Sequence, residues 1–105
     1  MSNKAHAAVL RRLCERYGAG RDRPRCDGFD VQVGDLIIEV ETTATLDRAV
    51  QRLQHAQGQR FIAVTNREAI PDAVAMTRGT EIGVMDPWGE IVLAPDGPRQ
   101  PVRGS

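Results

Sequence analysis

Between residues 29 and 41, apolar and polar positions alternate on both sides of Gly34-Asp35: Phe29, Val31 and Val33 precede the pair, and Leu36, Ile38 and Val40 follow it. Strict alternation marks a half-buried strand, and a Gly-Asp pair between two such runs marks a two-residue hairpin turn, because Gly accepts the positive φ that tight turns demand. The pattern predicts strands over 28–33 and 36–41. Pairing Val33 with Leu36 then sets Gln32 against Ile37, Val31 against Ile38, Asp30 against Glu39 and Gly28 against Glu41. One face of the hairpin is wholly apolar. The other carries Gly28, Asp30, Gln32, Ile37, Glu39 and Glu41.

The remaining pattern is helical or strand-like in alternation. Ala5, Ala8, Val9, Leu13 and Cys14 recur at helical spacing between arginines, predicting an amphipathic helix over 3–17 that stops at Gly18 and Gly20. A basic loop with Pro24 leads from there to the hairpin. Thr42, Thr43 and Thr45 offer N-cap hydroxyls to a second helix over 45–57, striped by Leu46, Ala49, Val50, Leu53 and Ala56 and closed by Gly58. The apolar run 61–65 reads as a buried strand reached by a helical crossover. Pro71 opens a third helix, which carries Ala73, Val74 and Met76 and ends near Gly79. Strands over 81–85 and 91–93 then flank an Asp86-Pro87-Trp88-Gly89 turn. The order is α-β-β-α-β-α-β-β, an α/β domain with a mixed sheet of about five strands flanked by helices, the later crossovers parallel and right-handed. Function in such sheets gathers at strand ends and switch points, which is where the hairpin carboxylates fall.

Composition bounds this picture without changing it. At 105 residues with 41% hydrophobic content, the chain supports one core, over 1–94, followed by a flexible Pro/Gly-rich tail over 95–105. No apolar run approaches the roughly 20 residues of a membrane span and no leader pattern is present, so a cytoplasmic protein without membrane contact is expected. Cys14 and Cys26 fit neither a zinc ligand pattern nor a disulfide framework and are read as buried free thiols. There is no internal repeat, phosphate loop or nucleophile elbow, and no organic cofactor is expected.

Charge changes it more. The net charge is zero, but residues 1–25 hold Lys4, the chain's only lysine, and six arginines against Glu15 and Asp22, a balance of +5 that leaves −5 for the rest. A basic segment beside an acidic face suits an enzyme acting on a polyanion; an Arg-rich helix and loop is also an ordinary solvated surface. The acidic face itself has two readings. Carboxylates directly opposite across an antiparallel pair lie with Cβ atoms roughly 5 Å apart and repel, a repulsion that a hard divalent cation, Mg²⁺ or Mn²⁺, relieves. A solvated acidic face, screened by water, is the other.

The segments Asp27-Gly28-Phe29-Asp30 and Ile37-Ile38-Glu39-Val40-Glu41-Thr42-Thr43, set in this order of elements, resemble the PD-(D/E)XK nuclease superfamily, most of all the Mrr-type restriction endonucleases and archaeal Holliday junction resolvases. The resemblance covers about residues 3–93. It implies a restriction endonuclease-like three-layer core and a Mg²⁺-dependent endonuclease that hydrolyses DNA phosphodiesters, structure-selective in the manner of a resolvase or repair enzyme and acting as a homodimer. It implies Asp30 and Glu39 as ligands of the ion, the Val40 carbonyl as a further ligand, and Glu15 as an additional one from the first helix. For Glu15 an i,i+4 pair with Arg11 or Arg12 is the competing role. Glu41 occupies the place of the family's lysine and cannot supply its positive charge; it accepts a proton from the attacking water or helps hold a second ion, or else the chain is a catalytically degenerate module that binds nucleic acid or a partner protein. Gln51 and Gln54 are expected to face the site, with Arg21, Arg23 and Arg25 on DNA phosphates. His55 lies near them in sequence, where exposure is its ordinary role. Trp88 either stacks on a base or partner or packs at a hairpin corner.

Overall fold

In the computed structural model, residues 4–18 and 30–95 are described. Helix α1 (Lys4–Tyr17) precedes a hairpin of β1 (Val31–Val33) and β2 (Leu36–Glu41). A 3₁₀ turn (Thr43–Thr45) opens α2 (Leu46–Gln54), which leads to β3 (Gln59–Val64). A second 3₁₀ turn (Arg67–Ala69) opens α3 (Ile70–Thr77), and β4 (Ile82–Met85) and β5 (Ile91–Leu93) complete the order. The five strands form one mixed sheet in the order β1-β2-β3-β4-β5. The two outer pairs are antiparallel, and β2, β3 and β4 run parallel. The strand order follows the chain, so the sheet has no reversal of direction at which a switch point would lie.

The hairpin register is the one the alternation sets: Val33 opposite Leu36, Gln32 opposite Ile37 and Val31 opposite Ile38. Gly34 takes φ +61, the positive value that a type II′ turn requires at its first central residue. The first strand is shorter than the predicted 28–33, beginning at Val31, and positions 28 and 29 lie outside the described residues. The second helix is also shorter than 45–57: its first turn tightens to 3₁₀ and it ends at Gln54. Arg60 closes that end, its Nη1 donating to the Leu53 and Ala56 carbonyls at 3.0 and 3.2 Å.

The sheet is covered on both faces. Val9, Leu13 and Cys14 of α1 pack on Val31, Ile38, Val40, Phe61, Ala63 and Met85. On the other face α2 and α3 cover Ile37, Ile62, Val64, Ile82 and Val84. Ile37, grouped by alternation with the polar positions, is therefore core. Its face of the hairpin is covered by α2 rather than solvated, because the crossover from β2 to the parallel β3 runs through that helix. Cys14 is a buried free thiol, its ionisation pushed up by burial and by the nearby Asp30 and Glu15 charges. Cys26 and the tail from 96 onward lie outside the described residues. Among the described residues no helix is long and apolar enough to cross a membrane.

The arginines of α1 are not simply solvated. Arg12 Nη1 donates to the Pro87 carbonyl at 2.9 Å, Arg16 Nη1 to that of Trp88 at 2.9 Å, and the Tyr17 hydroxyl to that of Gly89 at 2.7 Å. These bonds fix the β4–β5 turn against the helix, with Gly89 at φ +87 where an added Cβ would approach Leu13 Cδ2 to 2.9 Å.

Candidate metal centre

Asp30 stands one residue before β1, opposite Glu39 by the observed register, and Glu41 lies two residues further along the same face of β2. Carboxylate oxygens of all three lie within 4.8 Å of one another, a cluster that could hold a metal ion. Each is oriented by a neighbour. Asp30 Oδ2 accepts the Val40 amide at 2.8 Å, beyond the point where backbone pairing of β1 stops. A strand residue aims its N–H and C=O at the same neighbour, so the Val40 carbonyl also faces this edge, where a ligand position requires it. Glu41 accepts a short hydrogen bond from the Thr45 hydroxyl, and its own carbonyl accepts the Thr65 amide at 3.2 Å.

Glu39 is the unusual member. Only 2% of it is exposed, so its carboxylate is almost wholly removed from water. Burial first, then a hydrogen bond shared with Glu41 and the charges of Asp30 and Glu41, push its pKa up to about 8 against the opposing pull of Arg52. Arg52 Nη2 lies 3.1 Å from Glu39 Oε2, at ion-pair distance but off the hydrogen-bond direction, so that oxygen has a charged neighbour without an aligned donor. Burial and the neighbouring carboxylates therefore favour the protonated form of Glu39.

Two side chains at this site escape a reading of the apolar pattern alone. His6 on α1 brings Nε2 to 3.5 Å from Asp30 Oδ2, and Arg52 reaches Glu39 from α2. Both follow helical spacing from buried residues: His6 precedes Val9 by three, and Arg52 follows Ala49 by three. Thr45 at the N-cap of α2 and Ala49 and Arg52 on it form one line facing the acidic strand. Glu15 is not in the cluster. It is exposed and lies nine residues from His6 along α1, about 13.5 Å at 1.5 Å per residue. Of its two alternative partners, Arg11 and Arg12, the second is turned to Pro87. Gln51 and Gln54 are exposed on α2, and Arg52 rather than either glutamine is the residue brought to Glu39. His55 is exposed as expected, beside Arg52 in an open cleft of about 560 Å³. Arg21, Arg23 and Arg25 lie outside the described residues.

No family model, curated protein or solved structure matches the chain. The functional reading rests on the residues themselves.

Proposed function

We propose that the chain is a metal-dependent endonuclease of the PD-(D/E)XK type that hydrolyses DNA phosphodiester bonds, with Asp30, Glu39 and Glu41 holding Mg²⁺ or Mn²⁺. The observation that carries this reading is the burial of Glu39 among two further carboxylates. A buried carboxylate forced to keep a proton by its neighbours is in the state that a hard cation with oxygen ligands relieves, by taking the proton's place. Bound there, such an ion supplies the charge that activates water and offsets negative charge developing on the phosphoryl oxygens.

The chain's own groups divide the remaining work. The Val40 amide and His6 hold one Asp30 oxygen, leaving the other for a ligand. Thr45 fixes Glu41, whose carboxylate is the acceptor for the proton of the attacking water. Arg52 supplies the cation that Glu41 cannot, a planar donor fork suited to a phosphate and permanently charged. The basic segment before the hairpin, with Arg21, Arg23 and Arg25, grips flanking phosphates, and Gln51 and Gln54 on α2 contact the same strand. With so little chain for reading sequence, the domain acts on DNA as a homodimer or recognises it by shape.

The test is incubation of supercoiled plasmid and four-way junction DNA with Mg²⁺ or Mn²⁺. Nicking that disappears in Asp30→Asn and Glu39→Gln supports the reading; no cleavage, or equal cleavage by the variants, sinks it. A degenerate module that binds DNA or a protein without cutting is the second reading, favoured by the engagement of Glu41 with Thr45 where a lysine would stand free. DNA binding without metal binding would select it.

A further inference from the structure

Trp88 is the chain's only tryptophan, and 51% of it is exposed, so it is not the packed corner residue of a hairpin. Nor does it sit on a loose loop. Asp86 Oδ1 accepts the amides of Trp88 and Glu90 at 2.8 and 3.0 Å, and the α1 side chains bind the turn's carbonyls. The ring is presented on a rigid platform. Two guanidinium groups lie over it, Arg12 at 4.9 Å and Arg67 at 5.6 Å from its centroid. Arg12 is pinned by Pro87, whereas the Arg67 side chain is 70% exposed and only 4.0 Å from its counter-ion Asp86. Beside the ring, a cleft of about 370 Å³ has Ala5, Ala8, Val9 and Pro87 in its wall, a volume within the range of small-ligand sites.

We infer that this cleft is a subsite for an unpaired nucleobase, which takes the place of the exposed Arg67 guanidinium over Trp88 while Arg67 turns to the flanking phosphate. The ring and the apolar wall favour a flat, weakly polar group. Glu68, also in the wall, repels a phosphate inside the cleft while accepting from a base amino group. The arginines at the rim complement the phosphates on either side, the combination by which single strands are bound. Position links the subsite to the acidic cluster. The cleft opens at the C-terminal ends of β3 and β4, Glu41 ends β2, and the Thr65 amide joins the two through the Glu41 carbonyl. Two strand spacings, about 10 Å, separate β2 from β4 along the sheet, with the carboxylates on its α2 face and the cleft on its α1 face, so a strand reaching both passes over the C-terminal edge of the sheet. The inference rests on the nuclease reading for its choice of ligand and names that enzyme's substrate class, DNA with unpaired nucleotides near the cut.

The experiment uses the full chain in EDTA, where no cleavage intervenes, and follows Trp88 fluorescence during titration with single-stranded oligothymidylate and with an abasic strand of equal length and charge. Saturable quenching by the base-bearing strand alone is expected. By anisotropy of a labelled strand, Trp88→Ala and Arg67→Ala should each weaken binding about ten-fold or more, and Trp88→Phe should retain most of it, with melting temperatures unchanged. Equal quenching by both strands, no quenching by either, or unaltered affinity in folded Trp88→Ala overturns the inference. Failure of plasmid cleavage with quenching intact would overturn the catalytic reading and leave this one standing.

Discussion

Arg52 Nη2 stands 3.1 Å from Glu39 Oε2, a half-exposed guanidinium set against a carboxylate that is almost wholly buried. Arg52 is the group that pulls the Glu39 pKa down while burial and the other carboxylates push it up. Replacing it by Ala should therefore carry the Glu39 pKa above about 8, readable by NMR titration of the labelled carboxyl. In the proposed nuclease the same change should lower kcat by roughly 10²-fold, with partial recovery in Arg52→Lys. An unchanged Glu39 titration would show that the pair does not govern the site.

The pH dependence of stability follows from the same proton. Folded Glu39 keeps it to about 8, while an unfolded glutamate releases it near 4.5. Between these values the folded state binds more protons, so stability falls as pH rises, by at most about 1.4 kcal/mol per unit from this group. Urea unfolding in EDTA across that window should show the decline, and Glu39→Gln should flatten it.

Divalent ions should reverse that decline. An ion that binds only the folded state raises its stability, and here it must displace the Glu39 proton, so its apparent affinity climbs as pH rises toward 8. Calorimetry with Mn²⁺ in buffers of different ionisation enthalpy should report close to one proton released per ion near pH 6.5. Asp30→Asn and Glu39→Gln should both lose the binding heat; heat that survives in either places the ion elsewhere.

Gly58 tests the hairpin's anchorage to β3. It holds φ +109, and an added Cβ would meet the Asp35 carbonyl oxygen at 2.3 Å, beside the bond that the Gln59 amide donates to that oxygen at 2.8 Å. Gly58→Ala should destabilise by more than about 1 kcal/mol, seen as a lower Tm, whereas Ala at Gly79, which meets no atom within 4 Å, should cost less.

The hairpin was legible because two local rules agree there. A period of two fixes each side chain's face, Gly34 fixes the turn, and together they set Asp30 against Glu39 without tertiary information. Burial was not, since it depends on which helix packs over that face of β2. The apolar Ile37 among the hairpin's polar positions was the visible sign that α2 covers that face. His6 and Arg52 lie on helix stripes already marked by Val9 and Ala49, but a polar residue at such a position is ambiguous until the facing strand is known. Glu15 illustrates the reverse: the right residue type on the right helix, but exposed and two and a half turns from His6, the α1 residue that meets Asp30.

Helix α1 joins the two ends of the sheet, touching Asp30 through His6 and the β4–β5 turn through Arg12, Arg16 and Tyr17. Its ties to that turn span 72 to 75 residues of chain. Its packing on Val31 and Ile38 and the His6–Asp30 pair close far shorter loops. One helix therefore ties the acidic cluster to the turn that presents Trp88, so a substitution that loosens α1 is felt at both ends of the sheet.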